Sequence, residues 1–244
     1  MIHHNHPQGS ELWLAARRAC ITGSRFKDCR DYKALTAAQK KEGLTRGEPS
    51  TKLLGYAYDV ARERCGGQAP AKFQNAAMRM GQEQEGPARA AYEARTGNLV
   101  EEVGFFTTDD RLYGLSPDGL IDDDGVLEIK AMVSSDTLFT AIANGDISEY
   151  MDQCLVYLWL LGRQWVDLVL WAPDLGHMKI HRIDRRDHEN AIEALESDLI
   201  AFAALVAKFE AQLRSALAPA PDVAPAAPPA ERIDPAALPE NIFA

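Results

Sequence analysis

The stretch "GLIDDDGVLEIKA", residues 119–131, constrains the fold more tightly than any other part of the chain. An acidic turn closed by glycine separates two short runs in which apolar side chains alternate with small or charged ones. That pattern specifies a β-hairpin. If Asp122, Asp123 and Asp124 form a three-residue loop with Gly125 at the bulge position, Ile121 faces Gly125 and Asp118 faces Glu128. Directly opposed residues have β-carbons about 4.5–5.5 Å apart. Glu128 and Lys130, two positions apart, project from one face, while Leu127 and Ile129 enter the core on the other. A slip of one residue would scatter the set. In this register Asp118, Glu128 and Lys130 cluster. Two carboxylates held close out of water need a cation. Oxygen donors without a nearby His or Cys suit Mg²⁺ or Mn²⁺ better than Zn²⁺. A lysine beside such an ion can hold or help deprotonate a water, which is the arrangement of metal-assisted phosphodiester hydrolysis. A solvated acidic hairpin with a cross-strand Glu–Lys pair is the alternative at this point.

Around the hairpin, helical and extended patterns occupy separate regions. Residues 10–19 predict an amphipathic helix capped by Ser10, and a second helix starts at Ser24. Residues 34–66 are helical in composition, with breaks at Gly43, Gly47 and Pro49. "AKFQNAAMRMGQEQEGPARAAYEARTG" predicts a helix ending at Gly97, which Pro87 kinks or restarts. Strands are expected at 99–107, 112–121 and 125–132, then a helix over "ISEYMDQCLVYLWLLG" with Gly162 as its C-cap. Strands at 165–172 and 178–184 and a helix at 187–217 follow. This order predicts a mixed α+β fold: a central mixed β-sheet flanked by helices. Residues 1–217 read as one domain, with a basic helical part (1–97), a sheet core (98–184) and a C-terminal helix (187–217). Residues 218–230 form an Ala/Pro linker, and "ERIDPAALPENIFA" ends in a small apolar cluster. That segment is either a frayed end or a docking element for a neighbouring subunit or partner.

The net charge of −10 argues against a nucleic-acid partner until its distribution is considered. Residues 1–90 carry 15 Lys/Arg against 9 Asp/Glu, and residues 91–244 carry 11 against 27. This distribution suggests one cationic face beside a solvated anionic one, the alternative being a charge gradient that bears only on solubility. No apolar run is long enough for a membrane span, and "MIHHNHPQGSELW" lacks the features of a signal peptide, so a cytoplasmic protein is expected. Cys20, Cys29, Cys65 and Cys154 show no metal spacing and read as reduced, scattered thiols. Three of them lie upstream of the hairpin, against the one-plus-three pattern of iron–sulfur nucleases. His3, His4 and His6 read as part of a mobile N-terminus.

Four segments together carry a resemblance. "SPDG…LEIK" resembles the PD-(D/E)xK nuclease core, with Pro117-Asp118 and Glu128-Ile129-Lys130 in the expected order. "WLAARRACITGSRF", "MGQEQEGPARAAYEARTG" and "YMDQCLVYLWLLG" resemble, in family order, the N-terminal Trp/Arg/Ile-Thr-x-Ser motif, the Gly-x3-Glu helix and the Gln-x3-Tyr helix of the lambda-type phage exonucleases, the YqaJ-like viral recombinase group. The C-terminal third matches that group only in outline.

The resemblance implies a restriction-endonuclease-like core with a two-metal Mg²⁺ site, Mn²⁺ being an alternative. Asp118, Glu128 and the backbone carbonyl of Ile129 would be metal ligands, and Glu85 a ligand at the second position, with Glu83 a rival two residues away. Lys130 would position or activate water, Gln153 would orient the lysine or the water, and Tyr157 would line the site. Arg17, Ser24 and Ser116 would form a pocket for a terminal 5′-phosphate, with Arg25, Lys27, Arg30, Lys40, Lys41 and Arg46 as salt-sensitive backbone contacts to the duplex. The implied activity is 5′-to-3′ degradation of one strand of linear double-stranded DNA to mononucleotides, leaving 3′ overhangs. A ring-shaped homotrimer, a single-strand annealing protein as partner and a bacterial or phage-infected host cell are implied as well. A structure- or site-specific endonuclease and an inactive DNA-binding relative are the alternatives.

Overall fold

The computed structural model describes residues 1–69 and 76–218. It has two four-stranded mixed sheets where the sequence predicted one. The first comprises β1 (Ile2–His4), β2 (Ile21–Thr22), β3 (Phe105–Thr107) and β4 (Tyr113–Leu115), ordered β1-β3-β4-β2 with only β2/β4 parallel. The second comprises β5 (Gly119–Ile121), β6 (Gly125–Ala131), β7 (Trp165–Ala172) and β8 (His177–Asp184), ordered β5-β6-β7-β8 with only β6/β7 parallel. The helices are α1 (Glu11–Arg17), α2 (Phe26–Cys29), α3 (Ala37–Lys41), α4 (Thr51–Arg64), α5 (Ala76–Thr96), α6 (Ser135–Leu138), α7 (Ser148–Leu160) and α8 (Glu189–Leu217). α5 is continuous across Pro87. Its first described residue is Ala76, so the preceding part of the predicted helix lies outside the described residues, as does the tail beyond 218.

The expected strand 112–121 is two strands in different sheets. Pro117 has no N–H for a ladder, so pairing stops after Leu115 and resumes in the other sheet at Gly119. Gly119 is required there, because a β-carbon would sit 2.2 Å from Val100 Cγ1. Asp118 occupies the crossover between the sheets. The N-terminal histidines also differ from expectation: β1 pairs with β3, His3 stacks on Phe106 at 4.4 Å, and His4 Nε2 lies 3.1 Å from Thr107 Oγ1.

The hairpin register is the one the turn predicts. Gly119 pairs with Leu127 and Ile121 with Gly125, so Asp118 faces Glu128. The role of Gly125 differs. Asp122, at φ +46°, takes the left-handed position in the turn. Gly125 is glycine because a β-carbon would meet the Trp165 ring at 2.3 Å. Around this sheet the core has two halves. Val126, Val166, Leu168 and Leu170 pack with Val60, Leu155, Leu158, Leu195 and Phe202 of α4, α7 and α8. Leu127, Ile129 and Val169 pack on the other face against Ala88 and Tyr92 of α5. Each fully buried large apolar side chain contributes roughly 1.5–3 kcal/mol. Strand alternation therefore points Glu128 and Lys130 toward α7.

Candidate active site

On that face four side chains close a ring. Lys130 Nζ donates to Glu128 Oε1 at 2.6 Å and to Gln153 Oε1 at 3.0 Å. Gln153 Nε2 donates to Tyr157 Oη at 2.9 Å, and Tyr157 Oη donates to Glu128 Oε2 at 2.7 Å. The strand spacing of two and the helix spacing of four make the closure possible. Both oxygens of Glu128, which is 2% exposed, are thereby satisfied. Asp118 sits opposite, its Oδ2 accepting from the Ile129 N–H at 2.6 Å. The Tyr150 ring lies 5.8 Å from the Lys130 ammonium.

The electrostatics follow from burial and crowding. Burial and then repulsion from Glu128 push the Asp118 carboxyl well above the usual carboxylate range, and Glu85 adds to the push. Burial disfavours the Lys130 ammonium, but Glu128 and Asp118 outweigh it, so the lysine is held charged more firmly than in water. Burial and Glu128 keep Tyr157 a phenol, able to donate. Burial likewise raises the Cys154 thiol, which stays neutral beside the ring. Glu85 on α5 is half-buried and raised by burial and then by Glu128, whereas Glu83 is exposed. The α5 carboxylate that senses the cluster is therefore Glu85.

Among the described residues, no three carboxylate, imidazole or thiolate groups converge closely enough to hold an ion by themselves. Side-chain ligands alone are not what a Mg²⁺ site requires, since carbonyl oxygens and waters complete it. Extending the Gly119–Leu127 register by one residue sets Asp118 against Glu128 with hard oxygen donors, and repulsion from Glu128 is among the causes that raise the Asp118 carboxyl. The donor set fits a divalent cation held by Asp118, Glu128 and the Ile129 carbonyl, with Glu85 near.

The expected phosphate pocket forms in part. Arg17 Nη2 donates to Ser24 Oγ at 3.0 Å and to Thr22 Oγ1 at 3.3 Å, beside a cavity of about 450 Å³ lined by Arg18, Arg25, Tyr56 and Glu63 as well. Ser116 is not in this cluster. Its Oγ donates to the Gly104 carbonyl at 3.3 Å, and its own carbonyl lies 3.4 Å from Tyr157 Oη. Ser24 does not cap a helix; it lies within the 3₁₀ turn Gly23–Arg25, and α2 after it has only four residues.

The expected cationic face is largely neutralised. Arg25 bonds Asp28 at 2.9 Å and Asp59 at 3.3 Å and lies 3.7 Å from the Tyr56 ring centroid. Lys27 pairs with Glu149, and Arg46 pairs with Asp198. Arg30 bridges Asp152 at 2.6 Å and Asp198 at 2.7 Å. A phosphate at any of these four cations would compete with a carboxylate already paired there. Lys40 and Lys41 on α3 are exposed.

Sequence reasoning missed Thr22, although "ITGS" places it two residues before Ser24, and Tyr150, three residues before Gln153 on α7. It also missed Asp167, 2% exposed, which accepts from Tyr92 Oη at 2.6 Å and Arg182 Nη2 at 2.8 Å on the α5 side. An acid inside the apolar strand "WVDLVLW" was the available signal.

Comparison with known proteins gives a consistent picture. The YqaJ-like viral recombinase domain family matches residues 12–164. The crystal structure of an alkaline exonuclease (LHK-Exo) from Laribacter hongkongensis is similar at 32% identity and a TM-score of 0.66, covering 85% of this chain and 98% of that one. The structure of LHK-Exo in complex with dAMP is similar at the same identity and coverage, with a TM-score of 0.67. A phage related exonuclease from Haemophilus somnus 129PT, at 15% identity and a TM-score of 0.59, covers 82% of this chain and 97% of its own and shares the fold. No curated protein matches the chain.

Proposed function

The chain belongs to the YqaJ-like viral recombinase domain family and has a nuclease role, and from that premise we propose that it is a Mg²⁺-dependent 5′-to-3′ exonuclease of linear double-stranded DNA. It degrades one strand to mononucleotides and leaves 3′ overhangs for annealing. The observation that carries this reading is the Glu128–Lys130–Gln153–Tyr157 ring with Asp118 opposite. The dAMP in the relative's structure, a nucleoside monophosphate, supports mononucleotide products.

A divalent cation held by Asp118, Glu128 and the Ile129 carbonyl, with Glu85 serving a second position, would supply charge neutralisation at the scissile phosphodiester. The chain's own groups do the rest. Lys130, bonded to Glu128 and Gln153, positions or activates the attacking water and donates toward the phosphate oxygens. Gln153 fixes the lysine, and Tyr157 fixes Glu128 and Gln153 together. Arg17, with Ser24 and Thr22, receives the terminal phosphate of the 5′ strand. The ring-shaped homotrimer, the annealing partner and action in the cytoplasm are part of the proposal through the likeness to lambda-type exonucleases.

The test is digestion of linear duplexes labelled at either end, carrying a 5′-phosphate or a 5′-hydroxyl, with and without Mg²⁺. Release of the 5′ label as a mononucleotide, only with Mg²⁺ and faster from the phosphate, is expected, with a closed circular duplex left intact. Cutting of the circle would favour a structure- or site-specific endonuclease, and earlier loss of the 3′ label would reverse the polarity.

A further inference from the structure

The C-terminal halves of α4 and α8 enclose a second cavity, away from the catalytic ring. Tyr58, Cys65, Phe209, Leu213, Ala216 and Leu217 line a groove of about 780 Å³. Tyr58 and Phe209 meet with ring centroids 4.6 Å apart and form its floor. Tyr58 is 52% and Leu217 67% exposed, so a contiguous apolar surface faces outward. At the rim Arg62 packs its stem over Gly67, where a β-carbon would lie 2.9 Å from Arg62 Cγ, and it makes no ion pair among the described residues.

The chain itself offers an occupant. α8 ends at Leu217, a lining residue, and Ala218 leaves in an extended conformation. The sequence then continues for 26 residues, 219–244. The Ala/Pro stretch 218–230 is followed by "ERIDPAALPENIFA", where Ile233, Leu238, Ile242 and Phe243 concentrate with three acidic residues against one arginine. A spacer of this length spans roughly 20 Å as a coil and about 40 Å as an extended polyproline helix. The groove follows two helices over about 12 Å, so either length suffices to return to it. A tethered segment acts at an effective concentration in the millimolar range, so a weak fit is enough to seat it. The likeness to LHK-Exo uses 98% of that chain but 85% of this one, so this chain carries residues without a counterpart there.

We propose that residues 231–244 dock in cis into this groove, with Ile242 and Phe243 against Tyr58, Phe209 and Leu213, and Glu240 toward Arg62. The docked segment buttresses α4 from behind, since Tyr56 and Glu63 on its other side line the Arg17 cavity.

Cysteine cross-linking of the full chain tests this. Cys65 is the partly exposed thiol of the groove, while Cys20, Cys29 and Cys154 are buried. Ala244→Cys leaves the apolar anchors in place. Under diamide it is expected to form an intrachain disulfide with Cys65 at least tenfold faster than Ala227→Cys, a control on the linker. Adding Leu213→Glu to Ala244→Cys should slow cross-linking to the control rate, and adding Cys65→Ser should abolish it. Equal rates for the two cysteine variants would overturn the proposal. So would disulfides formed chiefly between chains, which would assign the groove to a neighbour's tail.

Discussion

Lys130 and Asp118 differ most in what surrounds them, and each yields a prediction. The lysine is clamped by Glu128 and Gln153, so its removal deletes the donor to both. Lys130→Ala should lower single-turnover hydrolysis by about 10²–10⁴-fold while duplex affinity measured without metal changes only a few-fold. Hydrolysis at the wild-type rate would remove the lysine from the mechanism. Asp118 is a carboxyl whose folded-state pKa lies above its unfolded value. The folded protein therefore holds that proton more tightly than the unfolded chain does. Metal-free stability from this group is fully present below the ordinary carboxylate range and is lost as pH rises toward the elevated folded value. Melting temperatures in chelator should show this slope in the wild type and not in Asp118→Asn, which should be the more stable protein at neutral pH. Mg²⁺ should stabilise the wild type more as pH rises, and parallel curves for the two proteins would contradict the assignment.

At the scale of elements, the sequence revealed the parts that rest on local chemistry. The hairpin register followed from an acidic turn and a two-residue period, and α7 from its uninterrupted apolar run ending at Gly162, which has φ +67°. The sheet switch at Pro117 was not legible, because alternation continues through "YGLSPDGLI" and does not say which sheet a residue joins. The purpose of Gly125 was not legible either, since Trp165 meets it only through the parallel β6/β7 pairing. Gly125→Ala should therefore destabilise the protein by about 1–3 kcal/mol in urea denaturation, by overpacking against the indole rather than by backbone strain. A neutral effect would mean that the indole yields. The distant partners of Arg25, Arg30 and Arg46 also escaped sequence reading: apart from Asp28, three residues after Arg25, their acids lie 34 to 168 residues away along the chain. Composition gave the sign of that region but not what its charge is used for.

For the molecule as a whole, those ion pairs change how a strongly anionic chain can approach an anionic polymer. Of the six cations expected along a duplex, Arg25, Lys27, Arg30 and Arg46 are already matched by carboxylates, which leaves Lys40 and Lys41. Each phosphate neutralised contributes about −0.9 to the slope of log affinity against log salt. Binding of linear duplex per chain should therefore show a shallow slope, about −2 to −4. A slope near −7 would mean that the pairs open and the whole basic segment turns to DNA. The proposed chemistry requires that Asp118 and Glu128 hold a divalent cation beside Lys130. Anomalous scattering from crystals grown with Mn²⁺ measures this directly. A peak between the two carboxylates, within coordinating distance of the Ile129 carbonyl, is the expected result. Crystals with Mn²⁺ at surface sites and none there, with the Glu128–Lys130 contact unchanged, would contradict it.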